Sequence, residues 1–147
     1  MSEPSLKIRR ARLSDAASIA KLSGELGYPA TTAEMTRRLR KLTNDKRSAV
    51  VVAEVSNAGV IGWVHVSRNE LLESDARAEV NGLVVADGQR SLGAGAKLLE
   101  AAEIWARKNG CRAMNVRSNV IRERAHAFYL QEGYEHYKTQ KAFRKLL

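Results

Sequence analysis

The sequence predicts an α/β fold in which a mixed, mostly antiparallel central sheet carries helices on both faces. Three observations lead there. The Val-rich run Ser48 to Ser56 turns at Asn57-Ala58-Gly59 into the strand-like run Val60 to Ser67, which is a β-hairpin pattern. Stretches with helical periodicity stand between the strand-like runs, giving the order β-α-α-β-β-β-α-β-α-β-β. Finally, Leu83 to Leu99 passes from a β-branched run through a glycine-containing polar turn into an Ala/Leu-rich helix without interruption.

Length and composition bound what this fold can do. With 147 residues and 44% hydrophobic content, the chain is long enough for one domain with its own core, and a single domain over 1–147 is expected. No stretch approaches the apolar length of a membrane span, and Met1-Ser2-Glu3-Pro4-Ser5 lacks the charged and apolar regions of an export leader. A cytoplasmic protein without a membrane partner is the expectation. The single Cys111 has no disulfide partner and no Cys or His at metal-ligand spacing, so no metal site is expected. A net charge of +9, from 25 Lys+Arg against 16 Asp+Glu, suits either a nucleic-acid surface or a field that draws in a small anion. The basic residues are dispersed and the chain is only 5% aromatic, so it lacks the stacking platform of single-strand binders. No nucleic-acid partner is expected.

Taken in order, Leu6 and Ile8 alternate with charged residues through Arg10, as in a first strand. Ser14-Asp15 caps a helix through Leu26, with Ala16, Ile19, Ala20 and Leu22 on its apolar side and Gly27 at its end. Thr31-x-x-Glu34 is a capping box for a second helix through about Lys41, with Met35, Leu39 and Leu42 inward. The Gly27-Tyr28-Pro29 turn between them makes Tyr28 a candidate cleft residue. After the hairpin, Arg77 to Val85 reads as a strand whose alternation puts Glu79, Asn81, Leu83 and Val85 on one face and Ala78, Val80, Gly82 and Val84 on the other. A long helix from Gly93 to Lys108 carries Leu98, Leu99, Ala102, Trp105 and Ala106 in its apolar stripe, and Gly110 stops it. Cys111 to Ser118 is a further strand, Ile121 to Glu132 a helix closed by Gly133, and Tyr134 to Tyr137 and Lys141 to Leu146 two closing strands.

The strand-to-helix turn is the place for chemistry. First-turn N–H groups of a helix have no intrahelical partner and sit at the positive end of the helix dipole, so a phosphate-bearing guest is expected there. A P-loop is excluded because Ala94-Gly95 follows the Gly88 to Gly93 spacing where Lys-Ser/Thr is needed. A dinucleotide fingerprint is excluded because Leu98 stands where its third glycine belongs. What remains, Arg90-x-x-Gly93-x-Gly95, resembles the acyl-CoA signature of the GNAT (Gcn5-related N-acetyltransferase) superfamily. A second motif of that family stands where its fold requires it: Ser118-Asn119 followed by Ala125-His126-Ala127-Phe128-Tyr129-Leu130-Gln131-Glu132-Gly133-Tyr134. The likeness runs from about Lys7 to the C-terminus and is strongest to the aminoalkylphosphonate N-acetyltransferases. Asp87 and Ser91 depart from the family pattern, which frequently has Pro and Gly there.

The resemblance implies a GNAT fold and an acetyl-CoA-dependent N-acetyltransferase acting on a small primary amine by direct attack. Backbone amides of Arg90, Ser91, Leu92, Gly93, Ala94, Gly95 and Ala96 would cradle the CoA pyrophosphate, the two glycines letting the main chain come close. Val84 and Val85 would pair with the pantetheine arm as if it were a strand, and Asn119 and Phe128 would contact it. Glu79 is the candidate base, because an ammonium must lose a proton before it attacks, and Tyr129 stands at the family's acid position, able to protonate the departing thiolate. The alternative for Glu79 is an exposed strand charge paired to Arg77 or Arg112, and for Tyr129 a packed aromatic. Asn81, His65 and Tyr28 are weaker candidates for the acceptor side, and His65 and His126 are weaker candidates for the base. A homodimer is compatible with this reading. A protein or peptide N-acetyltransferase and a non-catalytic acyl-CoA-binding regulator are the competing functions.

Overall fold

The computed structural model describes residues 5–118 and 120–147, and of Ser91 the backbone alone. By its contacts the chain divides into two compact units, residues 1–117 and 118–147. The first holds the sheet and three of the helices, in the order β1 (Leu6–Arg10), α1 (Ala16–Glu25), α2 (Thr32–Thr43), β2 (Ser48–Val55), β3 (Gly59–Asn69), β4 (Arg77–Val85), α3 (Ala94–Lys108) and β5 (Met114–Val116). The second holds α4 (Glu123–Gln131).

The five strands lie in sequence order, β1-β2-β3-β4-β5, antiparallel except for the parallel pair β4 and β5. Strand alternation sorts their side chains into two layers. On one face Val50 and Val52 join Ala11, Ala16, Ile19 and Leu39 in a core cluster, with Met35, Leu42 and Trp63 packed against it, so α1 and α2 cover this side. On the other, Gly62 sits beneath Leu98 of α3, and Val64, Val66 and Ala78 are fully buried. This is the expected α/β fold with helices on both sheet faces.

Local signals placed most boundaries. The capping box forms as expected: Glu34 N–H donates to Thr31 Oγ1 at 3.1 Å and Thr31 N–H to Glu34 Oε1 at 3.0 Å. Gly27, Gly110 and Gly133 take positive φ at the ends of α1, α3 and α4, where the αL turn favours glycine. Asp15 differs from its expected role. It precedes α1 without capping it by a side-chain bond; instead Arg9 grips its carboxylate through two bonds of 2.8 and 2.9 Å, and Arg12 N–H donates to it at 2.7 Å. Arg9 also reaches Glu54 at 2.8 Å, so one guanidinium ties β1, β2 and the entry to α1.

Three expectations near the C-terminus need correction. The strand expected over Cys111 to Ser118 is confined to Met114–Val116, and the helix expected over Ile121 to Glu132 to Glu123–Gln131. Tyr134 to Tyr137 and Lys141 to Leu146 form no strands; this segment is irregular and, beyond the half-buried Tyr134, exposed. The alternation there is genuine, but a strand needs a ladder partner and a face to bury, and an isolated hairpin is marginal at best. Tyr137, Phe143 and Leu146 bury little, and Lys138, Lys141, Arg144 and Lys145 keep the segment solvated.

Candidate active site

β4 organises the site because its two edges have different neighbours. Along one edge it pairs with β3 over its whole length; along the other, β5 pairs only with Ala78, Glu79 and Val80. Beyond Val80 the outer edge, residues 81–85, meets no strand among the described residues, which leaves backbone donors and acceptors for an extended ligand. Val84 and Val85 lie on this open edge, as their expected role requires.

A bulge in the β3–β4 pairing alters the expected faces. Gly82 stands opposite His65 but Val80 opposite Val66, so Asn81 is the extra residue and the alternation shifts there. Glu79 and Asn81 still share a face: Glu79 pairs with Ser67, and the Asn81 amide donates to Ser67 Oγ at 2.8 Å. Gly82 and Val84 join them, whereas Leu83 and Val85 turn to the α3 side, the reverse of what strict alternation predicts. Gly82 has a packing reason as well, because a Cβ there would come within 2.7 Å of the Trp63 ring.

Glu79 is buried, only 6% exposed, rather than the surface strand charge that was its alternative. Its partner is neither Arg77 nor Arg112 but Arg117, just beyond β5, whose Nε lies 3.1 Å from Oε1. The carboxylate stands in a polar row that crosses four strands on the α1/α2 face: Ser48, Ser67, Glu79 and Asn115 occupy matched positions. The next row carries His65. Burial holds its imidazole below its ordinary pKa, so it is neutral at neutral pH. Its Nε2 and the Trp63 Nε1 are buried without a hydrogen-bond partner among the described residues. Tyr28 lies well away from burial, 68% exposed, its carbonyl accepting from Ser23 Oγ at 2.6 Å.

From Val85 the chain enters the glycine turn. Ala86 N–H donates to the Ile61 carbonyl at 2.7 Å, Gly88 takes positive φ, and an Asp87–Arg90 ion pair of 2.9 Å spans the bend. Residues Arg90–Leu92 make a single 3-10 turn, and Gly93 then adopts φ 72° as the residue that starts α3. A Cβ on Gly93 would meet nothing within 4 Å, so the space outside this turn is open. Lys97 N–H is the first of α3 to bond back, to the Gly93 carbonyl, so helix geometry leaves the amides of Ala94, Gly95 and Ala96 without intrahelical partners. These features fit a ligand with a linear, amide-bearing arm and a phosphate group.

In the second unit, Phe128 and Tyr129 pack edge to face with centroids 5.2 Å apart, and Tyr134 meets Tyr129 edge to face at 5.9 Å. Burial pushes the Tyr129 phenol above its ordinary pKa, only partly opposed by Arg122, so it is a protonated hydroxyl at neutral pH. His126 is half-buried on the same helix. Asn119, the remaining candidate, lies outside the described residues.

Sequence reasoning missed Arg117, Ser67, Asn115 and Trp63. Ser67 and Asn115 lie on the strands to either side of Glu79, and nothing local says which residues of those strands face it. Arg117 carried a faint signal, as a cation closing a strand that must lie beside the glycine turn.

The model of the Acetyltransferase (GNAT) family matches residues 16–134. An uncharacterised N-acetyltransferase of Bacillus subtilis strain 168, YhfO, is 29% identical over 134 residues, covering 88% of this chain and 90% of that protein. The aminoalkylphosphonate N-acetyltransferase of Salmonella typhimurium strain LT2 is 34% identical over 89 residues, covering 58% of each. Among solved structures, the aminoglycoside 6'-N-acetyltransferase AAC(6')-Ih of Acinetobacter baumannii superposes with a TM-score of 0.85 at 18% identity, covering 97% of this chain and 99% of its own. The aminoglycoside N-acetyltransferase AAC(6')-Iy in complex with CoA gives 0.86 at 17% identity, covering 98% and 97%.

Proposed function

The chain is a member of the GNAT acetyltransferase family, and from that premise we propose that it transfers an acetyl group from acetyl-CoA to the primary amine of a small molecule, by direct attack and in the cytoplasm. One observation carries the proposal. The open edge of β4 runs through the glycine turn into the free amides of α3, and the buried Glu79 carboxylate stands on that same strand. The relatives named as N-acetyltransferases support the reaction class. The family match runs through the 117/118 boundary, which supports one acetyltransferase domain built from both units.

In this reading acetyl-CoA supplies an activated thioester carbonyl. The amides from Arg90 to Ala96, those of Ser91, Leu92, Gly93, Ala94 and Gly95 included, hold its pyrophosphate. The backbone of Val84 and Val85 orients the pantetheine arm, with Asn119 and Phe128 against it. Glu79 takes the proton of the acceptor's ammonium, directly or through a water; Arg117 occupies Oε1 and leaves Oε2 to receive it. The Tyr129 hydroxyl gives a proton to the departing sulfur. His65 and Asn81, on the Glu79 face, and Tyr28 at the exposed turn contact the acceptor.

The test is a screen of primary amines with acetyl-CoA, read by thiol release, followed by pH profiles of kcat/KM for the parent and Glu79→Gln. The variant keeps the shape but accepts no proton, so a loss of about 10²–10⁴-fold near neutral pH is expected. The gap should narrow at high pH, where free amine is abundant. Parallel profiles with equal rates would leave Glu79 a structural group.

A further inference from the structure

A cavity of about 550 Å³ opens at the end of the sheet away from the glycine turn, where β1 ends and β2 begins, with Ser48 two strands across from Glu79. Arg10, Lys46 and Lys108 line it together with Ser48, Thr43 and Trp105, and its walls contain no carboxylate. We propose that this cavity binds a phosphate-bearing small molecule of about mononucleotide size, at a site separate from the acetyl-transfer cleft. Its volume lies within the range of small-ligand sites.

The charges decide the ligand class. None of the three cations has an ion-pair partner among the described residues, although Asp45, next to Lys46, is engaged by Arg47. The plain alternative is that Lys46 and Lys108 neutralise the carbonyl ends of α2 and α3, which both terminate here. Those carbonyls are already occupied. Asn109 Nδ2 donates to the Trp105 carbonyl at 2.8 Å, and Asn109 N–H and Cys111 N–H to that of Ala106. At α2, Asn44 Nδ2 and Thr43 Oγ1 donate to the Arg40 carbonyl, and Asp45 N–H to that of Leu42. Two helix ends contribute only about half a negative charge each, against three full positive ones, so the cavity keeps a surplus of about two. A phosphate dianion matches that surplus.

The site also stands apart from the glycine turn. α3 begins at the turn and ends at this cavity, and its 15 residues span about 22 Å at 1.5 Å each. One small ligand does not serve both ends.

The test is calorimetric titration of the full chain with inorganic phosphate, AMP and adenosine, without and with saturating acetyl-CoA. Phosphate, AMP or both should bind in either condition, and adenosine should bind far more weakly than AMP. The double variant Lys46→Gln/Lys108→Gln removes two exposed charges and no buried contact, so its circular dichroism should match the parent. Its affinity for the bound phosphate probe should fall about tenfold or more, with acetyl-CoA affinity unchanged. Arg10→Gln on the parent background should weaken the same probe independently. The proposal is overturned if neither phosphate nor AMP binds, if the double variant binds as tightly as the parent, if acetyl-CoA displaces the probe, or if adenosine binds and does so as tightly as AMP.

Discussion

At the scale of single residues, the two proposed proton carriers are set by different environments. Glu79 is buried yet held by Arg117 and faced by Ser67 and Asn115, a polar surrounding that keeps a strand carboxylate in a sheet interior without an orphaned charge. Tyr129 sits in an aromatic cluster, where burial keeps its hydroxyl protonated well above neutral pH. Tyr129→Phe keeps the ring and its edge-to-face contacts and removes only the hydroxyl. Turnover should fall while acetyl-CoA affinity and thermal stability stay near the parent's, as read by steady-state rates, calorimetry and melting. A variant that turns over like the parent, or that unfolds, would make Tyr129 a packing residue. Glu79 and Tyr129 were both legible as candidates from motif and alternation, whereas Arg117 needed the parallel pairing that brings β5 beside β4.

At the scale of elements, the turn into α3 depends on two glycines with one backbone requirement but different surroundings. Gly88 and Gly93 both take left-handed φ, and a Cβ on either would meet open space. A side chain at either therefore costs about 1–2 kcal/mol of backbone strain without a clash. Only Gly93 begins α3, beside the free amides. Gly93→Val should therefore weaken acetyl-CoA binding strongly, and Gly88→Ala should lower the melting temperature with little effect on that affinity. Equal affinity losses in the two variants would attribute the effect to the fold of the turn rather than to phosphate access. The bulge at Asn81 belongs to this scale too. Strict period-two reading placed Leu83 with Glu79, and one inserted residue moved it to the other face. No local feature of Ala78 to Val85 marks the insertion, because a bulge is defined by the partner strand.

At the scale of the whole molecule, the Arg9 network is the clearest link between distant parts of the chain, joining β1, Glu54 of β2 and Asp15 before α1. The Arg9 guanidinium holds the Asp15 carboxyl below its ordinary value of 3.8. Its contribution to stability is therefore complete above that value and is lost as pH falls through the lower folded-state value. Urea midpoints should drop as pH falls below about 4, the ordinary carboxylate range. Arg9→Met leaves Asp15 buried and without its cation, which should cost about 3–5 kcal/mol at neutral pH and flatten the acid limb. An unchanged midpoint at pH 7 would mean that the network adds nothing net. The same scale divides what was readable from what was not. By itself the sequence determined the element order from β1 to α4, the Thr31–Glu34 capping box, the glycine stops of the helices, the α/β class and the glycine turn between β4 and α3, because each is written in periodicity, capping chemistry or glycine placement within a few residues. Only the tertiary structure decided the rest. It showed that β4 loses its neighbour after Val80, that Arg117 reaches Glu79, that the closing segments make no strands, and that three dispersed cations line one cavity. These depend on which strands pair, in what register and for how long, and pairing is a free-energy balance between distant segments that no local pattern encodes.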